Sequence, residues 1–221
     1  MKTKNCGPIL EALRGMNALF SAVRTRTTGA PLVDALGCEP TSCLDCLGLL
    51  ECDMALPFRI ATLLYCFNEA GEVLLMERAK EPNRGLWSPL GGKLRQEIGE
   101  SPHQCACREA FEEAGLKLRP TDLHLTGIVT EVGYASEAHW LIFLFEVNPR
   151  LQSAPPPHAE GKFHFYPAAA IETLRIPRTD REQIWPLFWK HRGGFFAAHC
   201  DSHPESQDEW QLEESHLRYR P

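Results

Sequence analysis

The sequence predicts an α/β fold, and three observations carry that prediction. Runs of β-branched and aromatic residues stand on both sides of one capped helix, and turn residues punctuate them. The longest apolar run, around Trp140 to Phe145, is strand-length and far below the roughly 20 residues that cross a bilayer.

The elements follow in order. Phe58, Ile60, Thr62, Leu63, Leu64 and Tyr65 form a β-branched and aromatic run, Asn68-Glu69-Ala70-Gly71 reads as a turn, and Val73, Leu74, Leu75 and Met76 complete an expected hairpin. Ser101 to Ala114 predicts a helix: Ser101 is an N-cap residue, Pro102 suits the first helical position, Gln104 completes a capping box, and Gly115 is a left-handed stop. Cys107, Ala110, Phe111 and Ala114 then share the spacing of a core-facing stripe. Leu123 to Tyr134, Ala138 to Val147 and Lys162 to Tyr166 predict strands, with Ser153 to His158 a stiff, exposed, proline-rich loop. A second helix is expected from about Thr179 to Lys190, where Ile184, Leu187 and Phe188 share a face. Beyond Cys200 the chain turns polar, which predicts a loosely ordered tail docked through Trp210 and Leu212.

The chain divides into an N-terminal extension over 1–53, a domain over 54–200 and a polar tail over 201–221. The extension holds five of the nine cysteines and no strand pattern. Met54 stands directly before the first strand and is an alternative start for the natural chain. Ile9, Leu10, Leu13, Met16 and Leu19, with arginines nearby, fit either a short amphipathic helix or an organelle-transit segment. Cys38, Cys43, Cys46 and Cys52 are either unligated thiols or four ligands to zinc, although only one pair has Cys-x-x-Cys spacing.

Composition narrows the function classes. In 221 residues, 29 acidic against 23 basic side chains leave a formal charge of -6. A bulk nucleic-acid binder must neutralise a row of phosphates, so that class is disfavoured. An odd cysteine count without a signal segment disfavours a secreted disulfide framework, and a soluble protein in a reducing cytoplasm is expected. No membrane partner is expected, and a homodimer is left open.

The chemistry is concentrated between Gly91 and Leu116. Glu109, Glu112 and Glu113 crowd the last turn and a half of the helix. Each like-charge pair there costs about 0.2–0.5 kcal/mol, and the negative end of the helix dipole adds roughly 0.3–1 kcal/mol per carboxylate. Something positive should sit there, the alternative being a solvated acidic face. Hard divalent cations prefer such oxygen ligands and bridge them to phosphates. Gly91-Gly92-Lys93, reached through Trp87-Ser88-Pro89, lets the backbone approach a ligand closely, and Arg78, Lys80, Arg84, Lys93 and Arg95 offer cations for a phosphate chain. Competing motifs fail: Leu94 follows Lys93 where a P-loop has Ser or Thr, and Gly-x-Gly-x-x-Gly, His-Glu-x-x-His and Gly-x-Ser-x-Gly are absent.

Glu100, followed after seven residues by Arg108-Glu109-Ala110-Phe111-Glu112-Glu113-Ala114-Gly115-Leu116, resembles the signature of the Nudix hydrolase family. Gly92 lies seven residues before Glu100 rather than five, as though two residues near Arg95-Gln96 were inserted. The resemblance implies an α/β/α sandwich with a mixed β-sheet and hydrolysis of a diphosphate linked to another group, usually a nucleoside. It implies Mg²⁺ or Mn²⁺ held by Glu109, Glu112 and Glu113, with Glu100 supporting Arg108 and a further metal, and a glycine carbonyl, Gly92, as a backbone ligand. Arg108 would hold the carboxylates. Glu109 is the first candidate for general base and Glu160 the outside one, with Glu131 and Glu137 left open. Arg78, Arg84, Lys93, Trp87 and Tyr134 are candidates for binding the substrate, and Trp140 and Phe143 are further aromatics that either stack on a base or belong to the core. The expected function is a pyrophosphohydrolase acting on a small nucleotide-type diphosphate. A non-catalytic Nudix module that senses a nucleotide or binds a protein partner is the alternative.

Overall fold

A computed structural model describes residues 57–81, 83–134, 138–157, 159–203 and 209–218. The readings made for the N-terminal extension, its four-cysteine group and Met54 lie outside the described residues, as does Glu137.

Among the described residues, eight strands build two sheets. Strands β1 (Phe58–Tyr65), β4 (Leu123–Tyr134), β5 (Ala138–Val147), β7 (Phe195–Asp201) and β8 (Glu209–His216) form a mixed sheet in the order β1-β5-β4-β7-β8. In it β1 runs parallel to β5 and β4 parallel to β7, while β4–β5 and β7–β8 are antiparallel. Strands β2 (Val73–Arg78), β3 (Trp87–Ser88) and β6 (Gly161–Tyr166) form a small antiparallel sheet, order β3-β2-β6. Helix α1 spans Pro102–Ala114, and helix α2 spans Trp185–His191 after a π-helical turn at Asp180–Ile184.

Alternation along β1 splits the interior into two cores. Leu64 and Cys66 join Leu74, Phe145 and Val147 under Ala106 and Ala110 of α1. Tyr65 and Phe67 join Leu144, Phe196 and Ala198 under Trp185 and Phe188 of α2. The large sheet therefore separates two helices, each over its own apolar face, in an α/β/α arrangement. Tyr65 stacks on Phe188 at a centroid distance of 3.7 Å and meets Trp185 edge-on at 4.8 Å.

Three expectations are corrected. The β1–β2 hairpin forms only at its turn: Gly71 N–H donates to Asn68 O at 3.0 Å and Phe67 bridges Val73 antiparallel, but beyond the bond from Leu74 N–H to Cys66 O the two strands enter different sheets. β1 has other partners, β5 on one edge and the loop before α1 on the other, where Leu64 N–H donates to Leu90 O and Thr62 N–H to Gly92 O. Phe111 does not face the core. It is 54% exposed, while Cys105, Ala106, Ala110 and Glu113 are buried. Polar bonds made by the last turns rotate the helix away from its most apolar setting. Finally, residues 209–216 do not form a loose tail, because as β8 they add to the edge of the sheet against β7. Trp210 packs on the α2-side core as expected, but Leu212 is exposed. Backbone pairing rather than burial holds this strand, which is why its polar composition hid it.

Candidate active site

The site begins with the capped start of α1. Gln104 N–H donates to Ser101 Oγ at 3.2 Å and Ser101 N–H to Gln104 Oε1 at 2.9 Å, so the first turn is closed reciprocally. At the other end Gly115 adopts φ 68° and its N–H returns to Phe111 O. The loop between Gly92 and Glu100 contains a 3₁₀ turn at Gln96–Ile98 that ends on left-handed Gly99. This turn brings Glu100 back to the helix.

Arg108 is the centre of the resulting network. Its Nε and Nη2 donate to the two oxygens of Glu100 at 2.7 and 2.8 Å, a bidentate pair with both side chains largely buried. Nη1 donates to Glu109 Oε1 at 2.6 Å and to Glu112 Oε2 at 3.0 Å. Nη2 also reaches Lys93 O at 3.1 Å, tying the helix to the glycine loop. Hydrogen bonding by Arg108 holds the Glu100 carboxyl down at about 2, against an opposing push from burial. Arg95 adds a second cation, with Nη2 donating to Glu112 Oε1 at 3.0 Å and its N–H to Glu100 Oε2 at 2.8 Å.

Glu113 is placed differently from Glu112. It is buried, and its neutral donor among the described residues is Gly91 N–H at 2.9 Å. Burial first, and then Glu109 and Glu160, push its carboxyl up to about 7, with Gly91 N–H and Arg78 pulling the other way. Burial likewise raises Glu109, which Arg108 opposes and Glu112 reinforces. Two neighbouring carboxyls thus resist ionising together, the electrostatic signature of a site short of positive charge.

The glycine pair fits this carboxylate end closely. A Cβ on Gly92 would lie 2.4 Å from the Glu109 carboxyl carbon, and one on Gly91, at φ +144°, would lie 2.0 Å from Thr62 O. Gly91 needs glycine to clear backbone, whereas a side chain at Gly92 would push the Glu109 carboxylate aside. The Gly92 carbonyl is turned into the structure: it accepts from Thr62 N–H at 2.9 Å and from the Cys105 thiol at 3.6 Å. As it stands, that carbonyl is met by these two protein donors. Cys105 was not singled out from sequence. Its thiol, pushed up to about 11 chiefly by burial, stays protonated and links Thr62, Gly92 and Arg108. The Cys105-x-x-Arg108 spacing, one helical turn, is the signal that could have found it.

The other sequence candidates divide. Arg78, at the end of β2, bears on the Glu113 carboxyl, and so does Glu160, whose Oε1 accepts from Lys80 Nζ at 2.6 Å. Lys93 extends over the Trp140 ring at 5.6 Å, with Arg59 also over that ring at 5.7 Å. Trp87 packs edge-on against Tyr166 at 5.0 Å, beside the α2-side core. Arg84 sits in an exposed turn, and Tyr134 pairs with Ala138 through its backbone while its side chain is outside the described residues. Glu131 is buried near the Asp180 turn and accepts from Ser202 Oγ at 2.8 Å, apart from the Arg108 network.

The donor set suits a hard divalent cation in kind and charge, since oxygen ligands predominate and burial opposes ionisation of Glu109 and Glu113 until positive charge is supplied. Among the described residues, no three His, Cys, Asp or Glu side chains converge as ligands of one ion as they stand. Arg108 and Arg95 instead hold Glu112, and Arg108 holds Glu109.

Comparison with known proteins agrees with this architecture. The NUDIX domain family model matches residues 57–186. A mutator MutT protein from Bacillus halodurans superposes with a TM-score of 0.56 at 22% identity, covering 70% of this chain and 97% of that one. A MutT protein from Methanosarcina mazei Go1 gives 0.51 at 23% identity over 60% of this chain and 94% of that one. A NUDIX hydrolase from Nitrosomonas europaea gives 0.50 at 18% identity, covering 66% and 80%. Such identities speak to the fold. With the family match spanning more than half the chain, the protein belongs to the Nudix family. It is a Nudix hydrolase, an enzyme of the pyrophosphohydrolase type.

Proposed function

We propose that the protein is a Mg²⁺- or Mn²⁺-dependent pyrophosphohydrolase that cleaves a nucleoside diphosphate linked to another moiety, by attack of water at phosphorus. One observation carries this reading: a single guanidinium, Arg108, gathers Glu100, Glu109 and Glu112 beside a buried Glu113 whose carboxyl is raised chiefly by that burial. Glu109, Glu112 and Glu113 would hold the cation, with Glu100 orienting Arg108. When bound, such a cation neutralises the diphosphate and lowers the pKa of a coordinated water. Gly92, whose missing Cβ gives Glu109 clearance, would add its carbonyl as a backbone ligand. Glu109 takes the proton from the attacking water; Glu160, which also bears on Glu113, is the second candidate for that role.

Arg78 and Lys93 would meet phosphate oxygens; Arg78 acts on the Glu113 carboxyl and Lys93 lies on the loop that Arg108 grips, which supports that role. Trp140, flanked by two cations, offers a ring for a nucleobase. Trp87 contributes through Tyr166, and Arg84 and Tyr134 stay in the substrate set on sequence grounds. Free thiols at Cys66, Cys105, Cys107 and Cys200 suit a reducing cytoplasm. Among the described residues no helix is long and apolar enough to cross a membrane.

The test incubates the protein with Mg²⁺ or Mn²⁺ and a panel of nucleoside triphosphates, ADP-ribose, dinucleoside polyphosphates and nucleotide sugars, with products identified. At least one class is cleaved, and Glu112→Gln or Glu113→Gln abolishes turnover while circular dichroism stays native. Failure to cleave any phosphoanhydride with either metal overturns the reading.

A further inference from the structure

The described surface also carries a cavity on the face of the large sheet opposite α1. β5 alternates, so Phe145 and Val147 point to the α1 side while Leu144 and Glu146 point to the α2 side. Beyond Glu146, where β5 ends and α2 gives way to β7, a cavity of 530 Å³ opens between Arg150, Trp189, Lys190, Arg192 and Arg218. A second, of 340 Å³, adjoins it and shares Glu146, Arg150, Gly193 and Arg218. Its size is that of small-ligand pockets.

The charge of this cavity is unbalanced. Four cationic side chains face one carboxylate, in a protein whose formal charge is -6. Glu146 is already satisfied by Arg192, at 2.5 Å from Nη2 and 3.3 Å from Nε, with Arg150 at 3.6 Å. Lys190 and Arg218 have no carboxylate partner among the described residues. Neutralising Glu146 accounts for one cation and leaves three.

Two of the arginines, Arg150 and Arg192, are also pre-positioned. The Arg192 guanidinium lies 4.0 Å from the Phe67 ring centroid and 5.3 Å from that of Trp189, and Arg150 lies 5.5 Å from Phe67. Stacking on aromatic faces fixes guanidinium planes at little further entropic cost, and planar forks match phosphate oxygens. A compact hollow with a few fixed cations fits one or two phosphate groups. It does not offer the row of contacts that a nucleic-acid backbone requires.

We infer that this cavity is a second anion site, separate from the catalytic helix, which binds a small phosphate-bearing molecule through Arg150, Lys190, Arg192 and Arg218.

The test is isothermal titration calorimetry on the full chain in chelator-containing, metal-free buffer, where the carboxylates of α1 repel anions. Inorganic pyrophosphate and adenosine monophosphate are titrated separately. Saturable one-to-one binding of at least one is expected, weakening as salt rises, and the tighter of the two identifies the source of the phosphate. The double variant Lys190→Gln/Arg218→Gln, which breaks no ion pair among the described residues, is expected to weaken binding by about tenfold or more, the loss of one charge-assisted contact. Glu112→Gln is expected to bind like the parent protein. No saturable heat, equal binding by the double variant, loss of binding in Glu112→Gln, or tighter binding of a single-stranded oligonucleotide than of either small anion would each overturn the proposal.

Discussion

Arg108 makes six polar contacts, to Glu100 twice, Glu109, Glu112, Lys93 O and Cys105 Sγ. A lysine retains the charge but loses the planar fork that serves several partners at once. Arg108→Lys is therefore expected to cut kcat/KM by about 10–100-fold, as losses of supporting contacts around ligand carboxylates do, with a native near-UV circular dichroism spectrum. Full activity in that variant would remove Arg108 from the centre of the site. Gly92→Ala probes the same carboxylates from the loop, because its Cβ would fall 2.4 Å from the Glu109 carboxyl carbon. Turnover is expected to fall much more than thermal stability, since the easiest relief is rotation of Glu109. A parallel measurement of kcat and Tm distinguishes this from general unfolding. Arg108, Glu109, Glu112 and Glu113 were legible because their relation is local, set by helical period alone. Cys105 and Thr62 were not, because their contact joins β1 to α1 across 43 positions and no periodicity reports it.

At the scale of elements, α1 shows what local sequence can and cannot specify. Its limits were readable: Ser101, Pro102, Gln104 and Gly115 act on their own neighbours, and each occupies the expected cap position. Ser101→Ala should cost about 1 kcal/mol, read as a fall in the chemical-denaturation midpoint, because it deletes the acceptor of Gln104 N–H. The rotation of α1 was not readable. Glu113 to Gly91 and Arg108 to Glu100 are bonds to a distant loop, and together they turn Phe111 outward. Phe111→Gln is accordingly expected to change stability by less than about 0.5 kcal/mol. A core-sized loss would restore the stripe that the spacing of Cys107, Ala110, Phe111 and Ala114 suggested. The same limit explains the shortened hairpin. Strand identity in β1 and β2 follows from composition, whereas the choice of partner depends on which edges the rest of the chain supplies.

At the scale of the whole molecule, the helices are held over the sheet by apolar faces, but one acidic pair opposes that closure on the α2 side. Asp180, in the π-helical turn leading into α2, has its carboxyl pushed up to about 7, first by burial and then by Glu131 of β4. Tyr65 of β1 feels Asp180 in turn and, mainly through its own burial, is raised as well. The folded chain thus holds a proton on Asp180 that the unfolded chain releases near its ordinary value of 3.8. Between those two values the folded state binds more protons, so stability falls as pH rises, and above about 7 the penalty is complete. Asp180→Asn replaces the protonated acid with a neutral near-isostere and removes the penalty. Its gain in Tm over the parent should be absent below the unfolded value, grow through weakly acid pH and level off above neutrality, with a ceiling of about 4 kcal/mol for the full shift. Thermal unfolding of both proteins across pH checks it. Parallel Tm profiles would show that the carboxyl titrates alike in both states and that the α2 side closes over no buried charge.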